Sequence, residues 1–138
     1  AMVSHTKGEG FGRPLLEFSL SNKPIICSGW SGQMDFLQSD KSLLLSGQLT
    51  NIHLSAQQKD ILIPESQWFQ PNAIDINKSY IDVYDNYKFW LERGKRQGYH
   101  SRTYFAFENM KAKIETILND YINIPEPIKL KLPKLKKI

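Results

Sequence analysis

The apolar residues change period near residue 80, and this change narrows the folds open to the 138-residue chain. Before it, apolar runs are short: Ile25-Ile26-Cys27, Met34-Asp35-Phe36-Leu37, Leu43-Leu44-Leu45, Leu49 to Leu54 and Ile61-Leu62-Ile63. Turn formers separate them, among them Ser21-Asn22-Lys23-Pro24 and Gln38 to Ser42, and runs of this kind favour strands. Pro14 to Leu20 alternates loosely and reads as a first strand, while Gly29-Trp30-Ser31-Gly32 reads as a tight corner around one large ring. Trp68-Phe69-Gln70-Pro71 is expected in an irregular connection, because proline discourages helix at the residue before it. After the change, Tyr80, Tyr84, Tyr87 and Leu91 recur at three- and four-residue steps with Val83 and Trp90 beside them, the stripe of a helix on a core.

Gly98 is the expected stop of that helix. A second stripe runs through Phe107, Met110, Ile114, Ile117 and Leu118 to about Tyr121, with Ser101 as a candidate cap. Tyr104 to Phe107 is equally compatible with a strand, and Ile122 to Ile124 with a short edge strand. The expected class is α+β, an N-terminal antiparallel sheet packed against one or two C-terminal helices. Residues 1–12 are expected as a flexible lead with an added residue at position 1, residues 13–128 as one domain, and 129–138 as a basic tail. This length is enough to bury roughly two-thirds of the extended surface.

Charge is unevenly placed. The last ten residues hold five lysines and no acid, more than the whole net charge of +4. Residues 1–92 hold seven basic and ten acidic side chains, against eleven and four in 93–138. A chain so polarised can steer a charged partner to one end. The basic pI therefore describes the tail and is no argument that the body binds a polyanion.

Familiar catalytic patterns are missing. His5, His53 and His100 have no cysteine or acid at ligand spacing, so no metal site is expected. Cys27 cannot form an internal disulfide, which favours a reducing compartment, and reads as a small buried hydrophobe at a strand end. Gly29-Trp30-Ser31-Gly32 lacks the spacing of a hydrolase nucleophile elbow, and Gly8-Glu9-Gly10-Phe11-Gly12 precedes any expected strand, as no dinucleotide fingerprint does. Asp82 and Asp85 lie one helical turn apart but have no local frame to perturb them. The expectation is a non-enzyme with no cofactor, and no run is long and apolar enough to span a membrane.

The stronger signal is aromatic. Trp68, Phe69, Tyr80, Tyr84, Tyr87, Trp90, Tyr99 and Tyr104 exceed what one helix face has to bury, and rings with a polar edge suit protein interfaces. A ring-rich core between sheet and helix is the competing explanation. Tyr87-Lys-Phe-Trp90, Gly98-Tyr99 and Phe107-Glu-Asn-Met110 with Ile114 resemble a pattern of tyrosines, tryptophan and methionine in an immunity-protein family of bacterial contact-dependent growth inhibition systems. The resemblance spans residues 84–114. It implies a small cytoplasmic protein that binds and blocks a toxin domain, often a nuclease, and it implies that Tyr87, Trp90, Tyr99, Phe107 and Met110 are mainly structural.

A basic nuclease would be met by acids and exposed rings, which nominates Trp30, Asp35, Asp40, Glu65, Trp68, Asp75, Asp82 and Asp85. The basic tail departs from that reading, since it would repel a basic toxin. The alternative is a nucleic-acid-binding module in which Lys129, Lys131, Lys134, Lys136 and Lys137 meet phosphates and Arg93, Lys95, Arg96 and Arg102 extend the track. A third possibility is a structural subunit of a phage or secretion assembly.

Overall fold

A computed structural model describes residues 1–122. The five lysines of the expected tail, and Ile124 of the expected edge strand, lie outside the described residues. The chain divides into two units, residues 1–106 and 107–138. Strands lie in the front half and most of the helix in the back half, as expected of a mixed class.

The main sheet is parallel, which corrects the antiparallel expectation. Strands β1 (Met2–Ser4), β2 (Ile25–Ser28) and β3 (Leu43–Leu45) lie in the order β1-β2-β3, with Val3 opposite Ile26 and Ile26 opposite Leu43. The cause is α1 (Arg13–Ser19), a helix where Pro14 to Leu20 was expected as a strand. Pro14 occupies the first turn, where its missing N–H costs nothing, and a helical crossover returns the chain parallel to β1. Residues 1–12, expected only as a lead, therefore contain an edge strand.

Two cores flank this sheet. On one face Leu15, Ile25, Cys27, Phe36 and Leu37 are buried together, with Met2, Phe18, Leu44 and Phe105 against them. On the other, Ile26, Leu45, Val83 and Trp90 are buried with Leu43 and Ile76. Each fully buried aliphatic or aromatic side chain contributes about 1.5–3 kcal/mol. The alternation of β2 residues between two cores explains why all four are buried.

A second, two-stranded sheet is antiparallel: β4 (Gly47–Asn51) pairs with β5 (Gln67–Pro71), Leu49 opposite Phe69. Trp68 and Phe69 thus stand in a strand, not in an irregular connection. Conversely Asp60 to Pro64 forms no strand and contributes a single bridge from Gln58 to Leu62. His53, expected inside a strand, precedes a 3-10 turn at Leu54–Ala56 and accepts from the Ser55 N–H at 3.2 Å.

The long helical stripe is two helices. α2 (Ala73–Asp85) begins seven residues before Tyr80, capped by the Asn72 side chain, which accepts from the Ile74 N–H at 2.9 Å. α3 (Tyr87–Tyr104) follows after Asn86. Gly98 lies inside α3, and Ser101 lies inside it too, not at the head of the next helix. In the second unit, α4 (Phe107–Tyr121) carries the second expected stripe, and Ile122 forms no strand.

Candidate protein-contact surface

The two ends of the parallel sheet are built differently. α3 lies across the amino ends of β2 and β3: Gly94 meets the backbone of Asn22 and Lys23, and Gln97 reaches the loop before β3. Gln97 is 1 % exposed; its Oε1 accepts from the Gln38 N–H at 3.0 Å, and its Nε2 donates to the Phe36 carbonyl at 2.8 Å. Ser19 donates to the Ser101 hydroxyl at 2.7 Å, so polar groups buried here find partners.

The carboxyl ends carry the Trp30 corner and the β4–β5 hairpin. Trp30 stacks on Phe69, with centroids 6.1 Å apart and planes 7° from parallel, and remains 42 % exposed. Ser31, beside it, holds a positive φ of 79°, fixed by its hydroxyl, which donates to the Glu9 carbonyl at 2.5 Å and accepts from the Glu9 N–H at 3.0 Å. Trp68 points to the opposite side of β5, where the Lys7 ammonium lies 3.6 Å from its ring centroid, a cation–π contact. The Lys7 carbonyl accepts from the Phe69 N–H at 2.9 Å, which ties this segment to the hairpin.

The hairpin's long connection adds apolar surface. Leu54 is 78 % exposed, Ile61 67 % and Ile63 48 %, and Glu65 is exposed beside them. At the base, a cleft of about 400 Å3 is lined by Ser46, Gly47, Gln70, Pro71 and Asn72, and Asp75 accepts from the Ser46 hydroxyl at its edge. Buried polar atoms with no hydrogen bond among the described residues are Thr6 Oγ1, Ser28 Oγ and Gln33 Oε1. All three sit just after β1 or β2, or at the end of β2, on this same side.

Of the eight residues nominated for a protein partner, Trp30, Glu65, Trp68 and Asp75 lie on or beside the hairpin, Trp30 and Trp68 on opposite sides of β5. The others do not join them. Asp82 is engaged internally, accepting from the Trp90 indole at 2.9 Å and from Asn86 at 2.7 Å, which fastens the α2–α3 junction. Asp40 pairs with Lys41 at 3.0 Å and Arg96 at 3.6 Å, and the Lys41 hydrogen bond first of all lowers its pKa. Asp35 ends a 3-10 turn at Gly32–Asp35, and Asp85 ends α2.

Of the cations of the nucleic-acid reading, Arg93, Lys95, Arg96 and Arg102 lie on α3, in its middle and last turns, and the five lysines from Lys129 to Lys137 lie outside the described residues. Each of the four on α3 has a local partner. Lys95 pairs with Glu92 at 2.6 Å, Arg96 with Asp40, and Arg102 donates to the Leu20 carbonyl and Asn22. Arg93 lies over the Phe89 and Trp90 rings at 4.6 and 5.3 Å. Beside them, Lys41, Glu92, Lys95, Arg96, Tyr99, His100 and Tyr104 line a cleft of about 470 Å3. Burial, then the charge of Lys41, holds the His100 pKa below its ordinary 6.5.

Sequence reasoning missed Lys7, Leu54 and Ile61 on the hairpin side, and named Phe69 only among the surplus rings. Leu54 and Ile61 were hidden because apolar runs were assigned inward-facing strands. Cys27 is fully buried, and burial pushes its thiol up to about 12, in keeping with a packing role. Among the described residues no group of three or more His, Cys, Asp or Glu is placed to hold a metal, and no helix is long and apolar enough to cross a membrane. Comparison with known protein families, curated proteins and solved structures gives no match.

Proposed function

We propose that this protein acts by binding and occluding another protein, as an immunity-type inhibitor of a toxin domain, with a nuclease as the partner class. The observation that carries the reading is the apolar exposure of the hairpin: Leu54, Ile61 and Ile63 of its long connection present large side chains to solvent next to the exposed Glu65, and Trp30 stays 42 % exposed over Phe69 of β5. Apolar and aromatic anchors edged by acids are what a basic protein surface is held by. The toxin class itself comes from the resemblance over residues 84–114. The inhibitor works in this reading without chemistry of its own, in the reducing cytoplasm, by covering the toxin's substrate cleft.

A second reading has its own support. The α3 cleft sets Lys95 and Arg96 next to Tyr99, His100 and Tyr104, the mixture of cations and rings that single-stranded nucleic acid uses. The intrachain pairing of those cations weighs against it.

Purification of the tagged chain from its native cells, with mass identification of what stays bound, decides between the two. A single nuclease domain, held at one-to-one stoichiometry and inhibited, supports the proposal. Recovery of RNA, with an affinity that falls steeply with salt, overturns it.

A further inference from the structure

We infer that α4 is a self-association helix that pairs antiparallel with α4 of a second copy of this chain. Every residue of α4 is exposed, yet Phe107, Met110, Ile114, Ile117, Leu118 and Tyr121 share one side of it. Phe107, Ile114 and Tyr121 fall seven apart, with Met110 and Ile117 between them at the other core position of a heptad, the spacing by which two helices pack their side chains into each other. An apolar stripe of this length left in water is unfavourable and calls for a cover.

The charges beside the stripe select the cover and its direction. Lys113 and Asp120 flank the same edge, each one residue before a stripe position, and neither makes an ion pair among the described residues. In an antiparallel pair that sets Ile114 against Ile117 of the second copy and Met110 against Tyr121 of the second copy, this edge meets itself. Lys113 then faces Asp120 of the second copy, and the two-fold axis repeats the contact, as an isologous dimer requires. A parallel pair sets Lys113 against Leu118 of the second copy and makes no such contact. Two short helices of 15 residues give a small interface, so association is expected at roughly micromolar to sub-millimolar concentration.

Charge reversal tests both the contact and its direction. Sedimentation equilibrium of the full chain is expected to show a concentration-dependent rise from 16.0 kDa toward twice that mass. Lys113→Asp alone places two like-charged contacts in the dimer, as does Asp120→Lys alone, and each is expected to weaken self-association about tenfold at low salt. Mixing the two variants restores it, because one then carries two acids and the other two lysines at the facing positions. Ile114→Asp is expected to abolish the dimer. All three tryptophans lie in residues 1–106, so their unfolding signal reports whether that unit remains intact. A chain that stays monomeric up to about 0.5 mM, a dimer indifferent to Ile114→Asp, or a mixture that associates no better than its components would each overturn the inference.

Discussion

The amino and carboxyl ends of the parallel sheet solve opposite problems with the same strands. At the amino end α3 comes close because Gly94 and Gly98 carry no side chain, Gln97 bonds the segment before β3 at Phe36 and Gln38, and Arg102 bonds the loop before β2 at Leu20 and Asn22. At the carboxyl end the chain leaves Trp30 half open, three buried polar atoms with no hydrogen bond among the described residues, and a hairpin with exposed leucine and isoleucines. One end is optimised for packing and the other tolerates unmet polar groups and solvent-facing rings. Such departures from internal satisfaction are where an external partner is best sought.

The largest test of this contrast is Gly98→Ala. In an ordinary helix interior the change stabilises by about 1 kcal/mol. Here a Cβ would stand 2.7 Å from the Ser19 carbonyl oxygen and also meet the Asn22 side chain, so a loss of about 2–4 kcal/mol in denaturant unfolding is expected. A gain in stability would mean that α3 does not seal the amino end. Gln97→Leu should follow closely, costing about 2–4 kcal/mol, since it strands the Gln38 N–H and Phe36 carbonyl in a buried place.

The first of these positions also shows how far the sequence could be read. Gly98 was expected to end a helix, because a lone glycine after basic residues carries that signal locally. Its actual role is a close approach to residues about 80 positions earlier, which no local pattern encodes. The same holds for Asp82, whose partner Trp90 lies across a helix break. The helical period after residue 72, the buried Cys27 and the mixed class were legible because they depend on period and composition, but the face was not: Tyr80, Tyr84 and Tyr87 of the expected core stripe are exposed, and Val83 and Trp90 beside them are buried. Sheet direction was not, since it turned on whether Pro14 opened a helix or a strand. The site was half legible: Trp30 and Trp68 were nominated for their size, while the acids were nominated singly and three of them prove to be engaged within the chain.

Smaller effects sharpen the comparison. His100, in the α3 cleft, resists protonation when folded, so its contribution to stability is full above pH 6.5 and is lost as pH falls below it toward the lowered folded value. The fall in melting temperature between about pH 6.5 and 5 should therefore be shallower in His100→Gln than in the parent. A thiol reagent at pH 8 should leave Cys27 unmodified in the native protein and modify it fully in denaturant, since burial lifts its pKa to about 12. The smallest change belongs to the carboxyl end: Ser28→Ala removes a hydroxyl that makes no hydrogen bond among the described residues, so stability should move by less than about 0.5 kcal/mol, or rise slightly. A loss of 2 kcal/mol or more there would erase the difference between the two ends.

Hydrogen–deuterium exchange of the protein, alone and bound to the nuclease domain recovered with it, bears most directly on the central claim. Partner-dependent protection is expected over the Trp30 corner and residues 52–71, with β2, β3 and the buried face of α3 slow to exchange in both states. Protection confined to residues 92–104, with the hairpin unchanged, would contradict the assignment of the carboxyl end as the contact surface.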